Sequence, residues 1–174
     1  ELVARAIHNG GGRKNKRYLS QNCAAIPENL LESILFGTTR GSFTGAENRP
    51  GLFEIASGGT LFLDEINSMD LAVQAKILKA IEEQKIRRIG GTEDILIDVR
   101  IIAATNEDPL LCMQRGSLRE DLYYRLKVVQ LNIPPLRSRK EDIRPLTEYY
   151  INFYNTVMGK SIQNADAQLM RLFY

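Results

Sequence analysis

The sequence has little of what metal and redox sites are commonly built from. Its two cysteines, Cys23 and Cys112, lie far apart and match no metal-ligand spacing, and His8 is the single histidine. A histidine-based metal site or a Ser-His-Asp triad therefore has almost nothing to build on. The two cysteines are expected to be reduced, partly buried thiols.

The chain also lacks a long hydrophobic run and a strong excess of charge. Nothing in the 174 residues approaches the roughly 18 consecutive apolar residues of a membrane helix, and no signal peptide opens the chain. The net charge of +2 is too small to indicate a nucleic-acid surface by itself. With 44% apolar and 25% charged residues, we expect a cytoplasmic globular protein without membrane contact.

Apolar runs alternate with helical patterns along the chain. Leu61-Phe62-Leu63 is wholly apolar, as in a strand buried on both faces of a covered parallel sheet. Further strands are predicted at Tyr18 to Asn22, Val99 to Ala104 and Val128 to Ile133, with a hairpin over residues 85–100. Helical patterns cover residues 1–8, begin at Pro27 and at Ser68 as a cap, and recur from Ile143 and Ala165. This order predicts a three-layer parallel α/β domain over residues 1–141 and a smaller helical piece over 142–174.

Two acids, Asp64 and Glu65, follow the apolar run directly. Ligands of open α/β folds bind at the carboxyl ends of the strands, so these acids would lie where a nucleotide can bind. The first can hold Mg²⁺ through its water shell, and the second can orient or deprotonate the water that attacks a γ-phosphate. The residues alone leave open a plain strand-to-helix turn that contains two acids.

Asn106 ends the neighbouring predicted strand and is expected close to these acids. Its amide can bond a phosphate oxygen and the attacking water. An Asx turn that merely opens the next loop, before Asp108-Pro109, is the alternative.

Arg119 and Arg125 form a second candidate group, on a predicted helix. In a ring of subunits such arginines can reach a neighbour's nucleotide, where they accelerate phosphoryl transfer. Local pairing with Glu120 or Asp121 is the other interpretation.

The segment Gly41-Ser42-Phe43-Thr44-Gly45-Ala46 carries an aromatic side chain between glycines. Such a mobile tip suits a loop that docks a partner and then releases it. A hairpin whose Phe43 packs into its own core remains the alternative.

Taken together, these segments resemble the central domain of sigma-54-dependent transcription activators, the family of the nitrogen-regulation and phage-shock activators. The Gly41 to Ala46 hexapeptide is the most specific element, because that loop insertion is peculiar to this group among AAA+ proteins, and it argues against a helicase loader or an unfoldase. The other segments that resemble the family, in the same order, are Gly51-Leu52-Phe53-Glu54, Gly58 to Glu65, Ala104-Thr105-Asn106, Leu118 to Leu122, and Pro134 to Arg137 with Arg139, Asp142 and Ile143.

The resemblance implies a fold and a nucleotide site. The fold is the P-loop NTPase (AAA+) version of the three-layer parallel sheet, with a truncated C-terminal helical lid that starts at residue 142. Asp64 and Glu65 correspond to the Walker B pair, which coordinates Mg²⁺ and activates water. Asn22 corresponds to a polar residue that pairs with the catalytic glutamate and couples nucleotide state to the partner loop. Asn106 corresponds to the first sensor.

The resemblance also implies contacts beyond the chain. Arg119 and Arg125 correspond to two arginines that act on a neighbouring subunit of a ring, expected to be a hexamer. Gly41 to Ala46 correspond to the sigma-54 contact loop, with Phe43 and Thr44 at its tip. The hairpin around Arg88 to Thr92 resembles a second, pore-side loop that moves with the first.

Two departures from the family pattern matter. Ser42 stands where the family usually has Ala, and since Ser is small we expect weakened or unchanged engagement of the partner rather than its loss. No Gly-x-x-x-x-Gly-Lys occurs in these residues, so the P-loop is expected immediately before Glu1, capping the helix of Leu2 to Ile7. The second sensor arginine is expected beyond Tyr174. We therefore expect this chain to be inactive as an ATPase by itself.

The expected function of the parent protein is ATP-dependent activation of transcription. It would remodel the sigma-54 RNA polymerase holoenzyme from a closed to an open promoter complex, and it would bind DNA through a domain outside this chain. The alternative is a non-hydrolysing AAA+-like regulatory module that only binds a protein partner.

Overall fold

Helices and strands alternate through most of the chain in the computed structural model, which describes residues 1–173 except for the side chain of Glu28. The α-helices are α1 (Leu2–Asn9), α2 (Glu28–Phe36), α3 (Leu52–Ile55), α4 (Leu71–Glu83), α5 (Pro109–Gln114), α6 (Glu120–Leu126), α7 (Ile143–Met158) and α8 (Ala167–Phe173). The strands are β1 (Tyr18–Asn22), β2 (Gly37–Thr38), β3 (Arg49–Pro50), β4 (Thr60–Asp64), β5 (Lys85–Ile86), β6 (Ile95–Leu96) and β7 (Arg100–Ala103). Short 3-10 helices lie at Ile66–Ser68, Leu136–Ser138 and Lys140–Asp142. Within the described residues, no helix is both long and apolar enough to cross a membrane.

A parallel sheet of three strands, in the order β1-β4-β7, confirms the predicted α/β class. In the register, Asn22 lies beside Asp64, and Leu63 lies beside Ala103. Because all three strands run in the same direction, their carboxyl ends share one edge of the sheet. The polar residues that end these strands therefore meet there.

The central strand β4 is buried on both faces, as its apolar run predicts. Leu61 and Leu63 are fully buried and Phe62 is nearly so. Since successive side chains of a strand point to opposite faces, a strand covered on both sides needs apolar residues at every position. The side chains that pack around β4 include Leu31, Leu35, Phe53, Val73, Ile77 and Leu122 from the helices. This packing holds the sheet edge in place.

The structure corrects the prediction of a strand at Val128, Val129, Leu131 and Ile133. These four residues lie outside any described strand, and Val128 is 87% exposed. Alternating apolar side chains form a strand only where a neighbouring strand offers backbone groups to the ladder. No described strand does so at this place.

Two predicted helix starts are also corrected. Ser68 belongs to the 3-10 turn, where its hydroxyl donates to the Glu65 carbonyl oxygen at 2.7 Å, and Asp70 is the N-cap residue of α4. Arg119 is the N-cap residue of α6 rather than part of it, so only Arg125 is carried by the helix. Capping residues take extended backbone angles, which a hydrophobic pattern does not report.

The chain divides into two compact units, Glu1–Val129 and Gln130–Tyr174, and Tyr174 lies outside the described residues. The first unit holds the sheet. The second holds α7, with Gly159 in the left-handed conformation at its C-terminal end, and α8. The sequence-based domain assignment of 1–141 and 142–174 stays a prediction.

Replacing Gly51 by Ala should destabilise the first unit. A Cβ at Gly51 would lie 2.3 Å from the carbonyl carbon of Phe36 and 2.4 Å from the Gly37 nitrogen, where only backbone could move aside. We expect a loss of about 1–3 kcal/mol in the free energy of unfolding, measured by urea titration. The matched control is Gly12→Ala, because nothing lies within 4 Å of a Cβ there. Equal urea midpoints for the two variants would contradict the packing described.

Candidate active site

Glu65 takes an unusual backbone conformation at the edge of the sheet. It follows the last residue of β4, with φ 54° and ψ 50°, in the left-handed region that costs about 1–2 kcal/mol for a residue with a side chain. Neighbouring groups hold it there: the Glu65 nitrogen donates to Asp64 Oδ1 at 3.1 Å, and the Ser68 nitrogen donates to the Glu65 carbonyl oxygen at 3.0 Å. A strained conformation that is held on both sides is typical of functional turns.

The carboxylate of Glu65 lies between two asparagine amides. Asn22 Nδ2, at the end of β1, donates to Glu65 Oε1 at 3.2 Å, and Asn106 Nδ2, just beyond β7, donates to Glu65 Oε2 at 3.1 Å. The structure thus brings together three candidate residues from the ends of three parallel strands. Each carboxylate oxygen receives one donor from a different neighbouring strand end.

The orientation of the Asn22 amide is set by the backbone that follows it. Asn22 Oδ1 accepts from the nitrogens of Ala24 at 2.9 Å and Ala25 at 3.1 Å. With its oxygen engaged in this turn, the amide can present only its NH₂ group to Glu65. Asn22 is therefore a donor of fixed direction.

The pKa of the Cys23 thiol is affected by the negative charge at this edge. Burial raises the pKa of its thiol to about 12, and the charges of Asp64 and Glu65 push it in the same direction. The thiol therefore stays protonated near neutral pH and is a poor nucleophile. Both cysteines are free and buried, which confirms the expectation of reduced thiols.

Asp64 fits a magnesium ion bound mainly through water and phosphate. Within the described part of the chain, no group of three or more Cys, His, Asp or Glu side chains could hold a metal ion. Mg²⁺ commonly takes only one or two protein carboxylates and completes its shell with waters and substrate phosphates. A single half-buried carboxylate at the sheet edge meets that requirement.

The two candidate arginines are not brought to Glu65. The Arg119 guanidinium pairs with Asp121, with Nε to Oδ1 at 3.0 Å and Nη2 to Oδ2 at 2.6 Å, and it lowers the pKa of Asp121. This is the local pairing that the sequence left open. Arg125 is exposed in the last turn of α6.

Gln74 is a positioning group that the sequence did not reveal. Its side chain is fully buried, its Nε2 donates to the carbonyl oxygens of Met69 and Ser117, and its Oε1 accepts from the Arg119 nitrogen at 2.9 Å. It thereby ties the start of α4 to the start of α6. The sequence signal that could have indicated this role is a polar residue between Val73 and Ile77, which face the core from α4.

The segment Gly41 to Ala46 projects between β2 and β3. These strands pair antiparallel over two residues each. Phe43 is 51% exposed and Thr44 is exposed, so Phe43 does not pack into a core of its own. Ala46 is buried at the base of the loop. The aromatic tip is therefore available to a partner.

The tip of the β5–β6 hairpin lies against the base of this loop. The Thr39 nitrogen donates to the Ile89 carbonyl oxygen, and the Ile89 nitrogen donates to the Gly37 carbonyl oxygen, both at 3.0 Å. Gly90, with φ +77°, approaches Ser42 so closely that a Cβ there would lie 2.5 Å from the Ser42 Cβ. The hairpin and the loop therefore form one connected structure.

An ion pair secures the same hairpin to α3. Arg88 Nε and Nη2 donate to the two carboxylate oxygens of Glu54 at 2.8 Å and 2.7 Å. Both side chains are largely shielded, with 28% and 13% exposure. A bidentate pair of this kind fixes direction as well as distance.

Comparison with known proteins places these features in a family. Residues 1–132 match the family described as the Sigma-54 interaction domain. The transcriptional activator RocR of Bacillus subtilis is 54% identical over 173 residues, and the regulatory protein AtoC of Escherichia coli is 48% identical over 173 residues. Each alignment covers 99% of this chain but only 38% of the relative. The chain thus spans about two fifths of the length of these curated relatives.

Solved structures agree with the sequence relatives. NtrX from Brucella abortus in complex with ADP superposes with a TM-score of 0.91 at 35% identity, over 99% of this chain and 37% of that one. NtrX in complex with ATP gives 0.89 at 36% identity, over 97% and 36%. Hsp104, at 17% identity and a TM-score of 0.54 over 71% of this chain and 25% of that one, shares the fold alone.

The Glu54–Arg88 pair should make the stability of the first unit depend on pH. Hydrogen bonding by Arg88 lowers the pKa of Glu54 below its ordinary value, against the opposing effect of burial. A carboxylate with a lowered folded-state pKa stabilises fully above its unfolded value of about 4.3, and this contribution is lost as pH falls through the folded value. Urea midpoints measured from pH 7 to pH 3 should show wild type above Glu54→Gln at pH 7, with the gap closing in acid.

The variant Arg88→Ala provides the matched comparison for this pair. It removes the cause of the lowered pKa, so adding Glu54→Gln to it should cost little further stability. A gap between wild type and Glu54→Gln that stays constant down to pH 3 would contradict the ion pair.

Proposed function

The chain belongs to the Sigma-54 interaction domain family of NtrC-like, sigma-54-dependent transcriptional activators, and on that premise we propose that it hydrolyses ATP in its parent protein to remodel RNA polymerase carrying sigma-54. The observation that carries this proposal is the Glu65 carboxylate, held between Asn22 and Asn106 at the shared edge of the sheet and beside Asp64. A carboxylate arranged in this way supports hydrolysis over the alternative of a module that only binds a partner.

Glu65 is the general base of the proposed reaction. A Mg²⁺ ion held through water by Asp64 would neutralise charge on the β- and γ-phosphates of ATP. The Glu65 carboxylate orients the attacking water and accepts its proton at one oxygen, since each oxygen accepts a single amide hydrogen bond and keeps a second lone pair for the water. Asn106 would bond a phosphate oxygen with the second hydrogen of its amide, and Asn22 is the partner whose release would signal the state of the nucleotide.

Arg119 and Arg125 act on the nucleotide of a neighbouring subunit in this proposal. Neither is hydrogen-bonded to Glu65. Arg125 is exposed, and the Arg119 guanidinium bonds its near neighbour Asp121. An exposed ion pair is worth about 0–1 kcal/mol, so Arg119 can exchange Asp121 for phosphate at little cost. A ring, expected to be a hexamer, would bring these arginines into reach.

The Gly41 to Ala46 loop transmits the result to sigma-54. Its exposed Phe43 and Thr44 would contact sigma-54, and its base is bonded to the hairpin that Arg88 anchors to Glu54. The loop and hairpin would take one position when the γ-phosphate is present and another when it is absent. The movement between these two positions would convert the closed promoter complex to the open one. DNA would be bound by a domain outside this chain, in the cytoplasm.

Replacing Glu65 by Ala in the full-length protein should abolish turnover without abolishing nucleotide binding. Loss of a general base lowers kcat by about 10²–10⁴-fold, while the contacts to the phosphates and the adenine of ATP persist. Phosphate release measures the first effect, and titration with a fluorescent ATP analogue measures the second.

Two controls frame the Glu65 experiment. Glu82→Ala, at an exposed position of α4, should keep wild-type turnover. The isolated chain should show none, since no Gly-x-x-x-x-Gly-Lys occurs in it to hold the phosphates. Normal turnover by Glu65→Ala would remove this residue from its assigned role.

Replacing Phe43 by Ala in the full-length protein should separate the two activities. We expect ATP turnover within about twofold of wild type, because Phe43 takes no part in the hydrogen bonds that hold Glu65. We expect at least about tenfold weaker binding to sigma-54 in the presence of ATP, because an aromatic side chain that becomes buried against a partner contributes strongly to binding. The matched control is Phe153→Ala, an exposed aromatic of α7. Unchanged sigma-54 binding by Phe43→Ala would overturn the assignment of the loop.

A further inference from the structure

Asn67 forms the outer end of a chain of side-chain amides that leads to Glu65. It lies in the 3-10 turn after β4, and its Nδ2 donates to Asn106 Oδ1 at 3.2 Å, while Asn106 Nδ2 donates to Glu65 Oε2 at 3.1 Å. We propose that Asn67 is a positioning residue, which sets the orientation of the Asn106 amide and through it the placement of the Glu65 carboxylate. This inference rests on the proposed function, because it assigns a role within the same site.

The direction of these hydrogen bonds follows from the chemistry of the groups. A carboxylate oxygen accepts, so Asn106 must turn its NH₂ group toward Glu65. The Asn106 oxygen then faces Asn67, which can satisfy it only by donating. A rotated Asn106 amide would set its oxygen against the carboxylate and its NH₂ group against the NH₂ group of Asn67. Asn67 therefore selects the one amide orientation that serves Glu65.

Asn67 is better fixed than the residue it orients. It is half-buried in a turn closed by the bond from the Ser68 nitrogen to the Glu65 carbonyl oxygen, and the preceding Ile66 is buried, with its nitrogen bonded to the Ala104 carbonyl oxygen at 3.1 Å. Asn106 is exposed, in a bend beyond β7. An exposed amide on a bend has several rotamers open to it, and the bond from Asn67 reduces that choice.

The carbonyl oxygen of the Asn67 amide is in an environment that does not favour stability. Asn67 Oδ1 is buried and has no hydrogen-bond partner among the described residues. A buried carbonyl without a donor is costly, and such groups are uncommon in folded proteins. The orientation that leaves this oxygen unbonded is the one that keeps the NH₂ group on Asn106.

A positioning role predicts a particular kinetic signature in the full-length protein. Asn67→Ala should lower kcat for ATP turnover about five- to tenfold while KM for ATP stays within about twofold, because Asn67 bonds the sensor side chain rather than the nucleotide. In the double variant Asn67→Ala with Asn106→Ala, kcat should equal that of Asn106→Ala alone, since Asn67 acts only through Asn106.

Asn67→Asp is the isosteric test. It keeps the shape of the side chain but presents an acceptor to the Asn106 oxygen, so kcat should fall below that of Asn67→Ala. Asn29→Ala, at an exposed position of α2, is the control and should keep wild-type kcat. The urea midpoint of each variant checks that the fold is retained, and Asn67→Asp carries the test if Asn67→Ala unfolds.

The outcomes separate this inference from the proposed function. If Asn106→Ala keeps wild-type turnover, the assigned site and this inference both fall. If Asn106→Ala lowers kcat but Asn67→Ala does not, or the two losses multiply in the double variant, only the role of Asn67 is overturned. Asn67→Asp with kcat at or above that of Asn67→Ala overturns it as well.

Discussion

The hydrogen bonds that hold the Glu65 carboxylate depend on the parallel arrangement of β1, β4 and β7. Three strands that run in the same direction end at one edge, so residues far apart in the chain become neighbours: Asn22, Glu65 and Asn106. Each carboxylate oxygen receives one amide donor, and Asp64 stands beside them as the last residue of the central strand. If the strands were antiparallel, these side chains would lie at opposite ends of the sheet.

Two groups at this edge of the sheet are in arrangements that are unfavourable for stability. Glu65 is held in a left-handed conformation, and Asn67 has a buried oxygen without a partner in the described part of the chain. The packing of β4, which is buried on both faces and covered by helices, offsets the cost of both features. A strained, well-supported turn can present a carboxylate in one direction without first having to reorganise.

A second connected structure joins the exposed loop to α3 through the β5–β6 hairpin. The hairpin tip contacts the loop base through Thr39, Ile89 and Gly90, and Arg88 joins the hairpin to Glu54 on α3. The loop lies between α2 and α3 in the chain, and the hairpin is bonded to both the loop base and α3. In the proposed function, this connected structure is the part that would move with the loop.

The sequence by itself determined the α/β class and the three strands of the sheet, because a wholly apolar run is typical of a strand buried on both faces. It placed Asp64 and Glu65 at the end of the central strand, but left open a plain turn that contains two acids. It also indicated Asn22, Asn106 and the Gly41 to Ala46 loop through resemblance to the family. The tertiary structure alone decided that Val128 to Ile133 form no strand, that Arg119 caps α6 and pairs with Asp121, and that Gln74 and Asn67 orient other groups. The reason is physical: periodicity reports which face of an element is buried, whereas a strand partner, a helix cap or an amide acceptor is supplied by residues elsewhere in the chain.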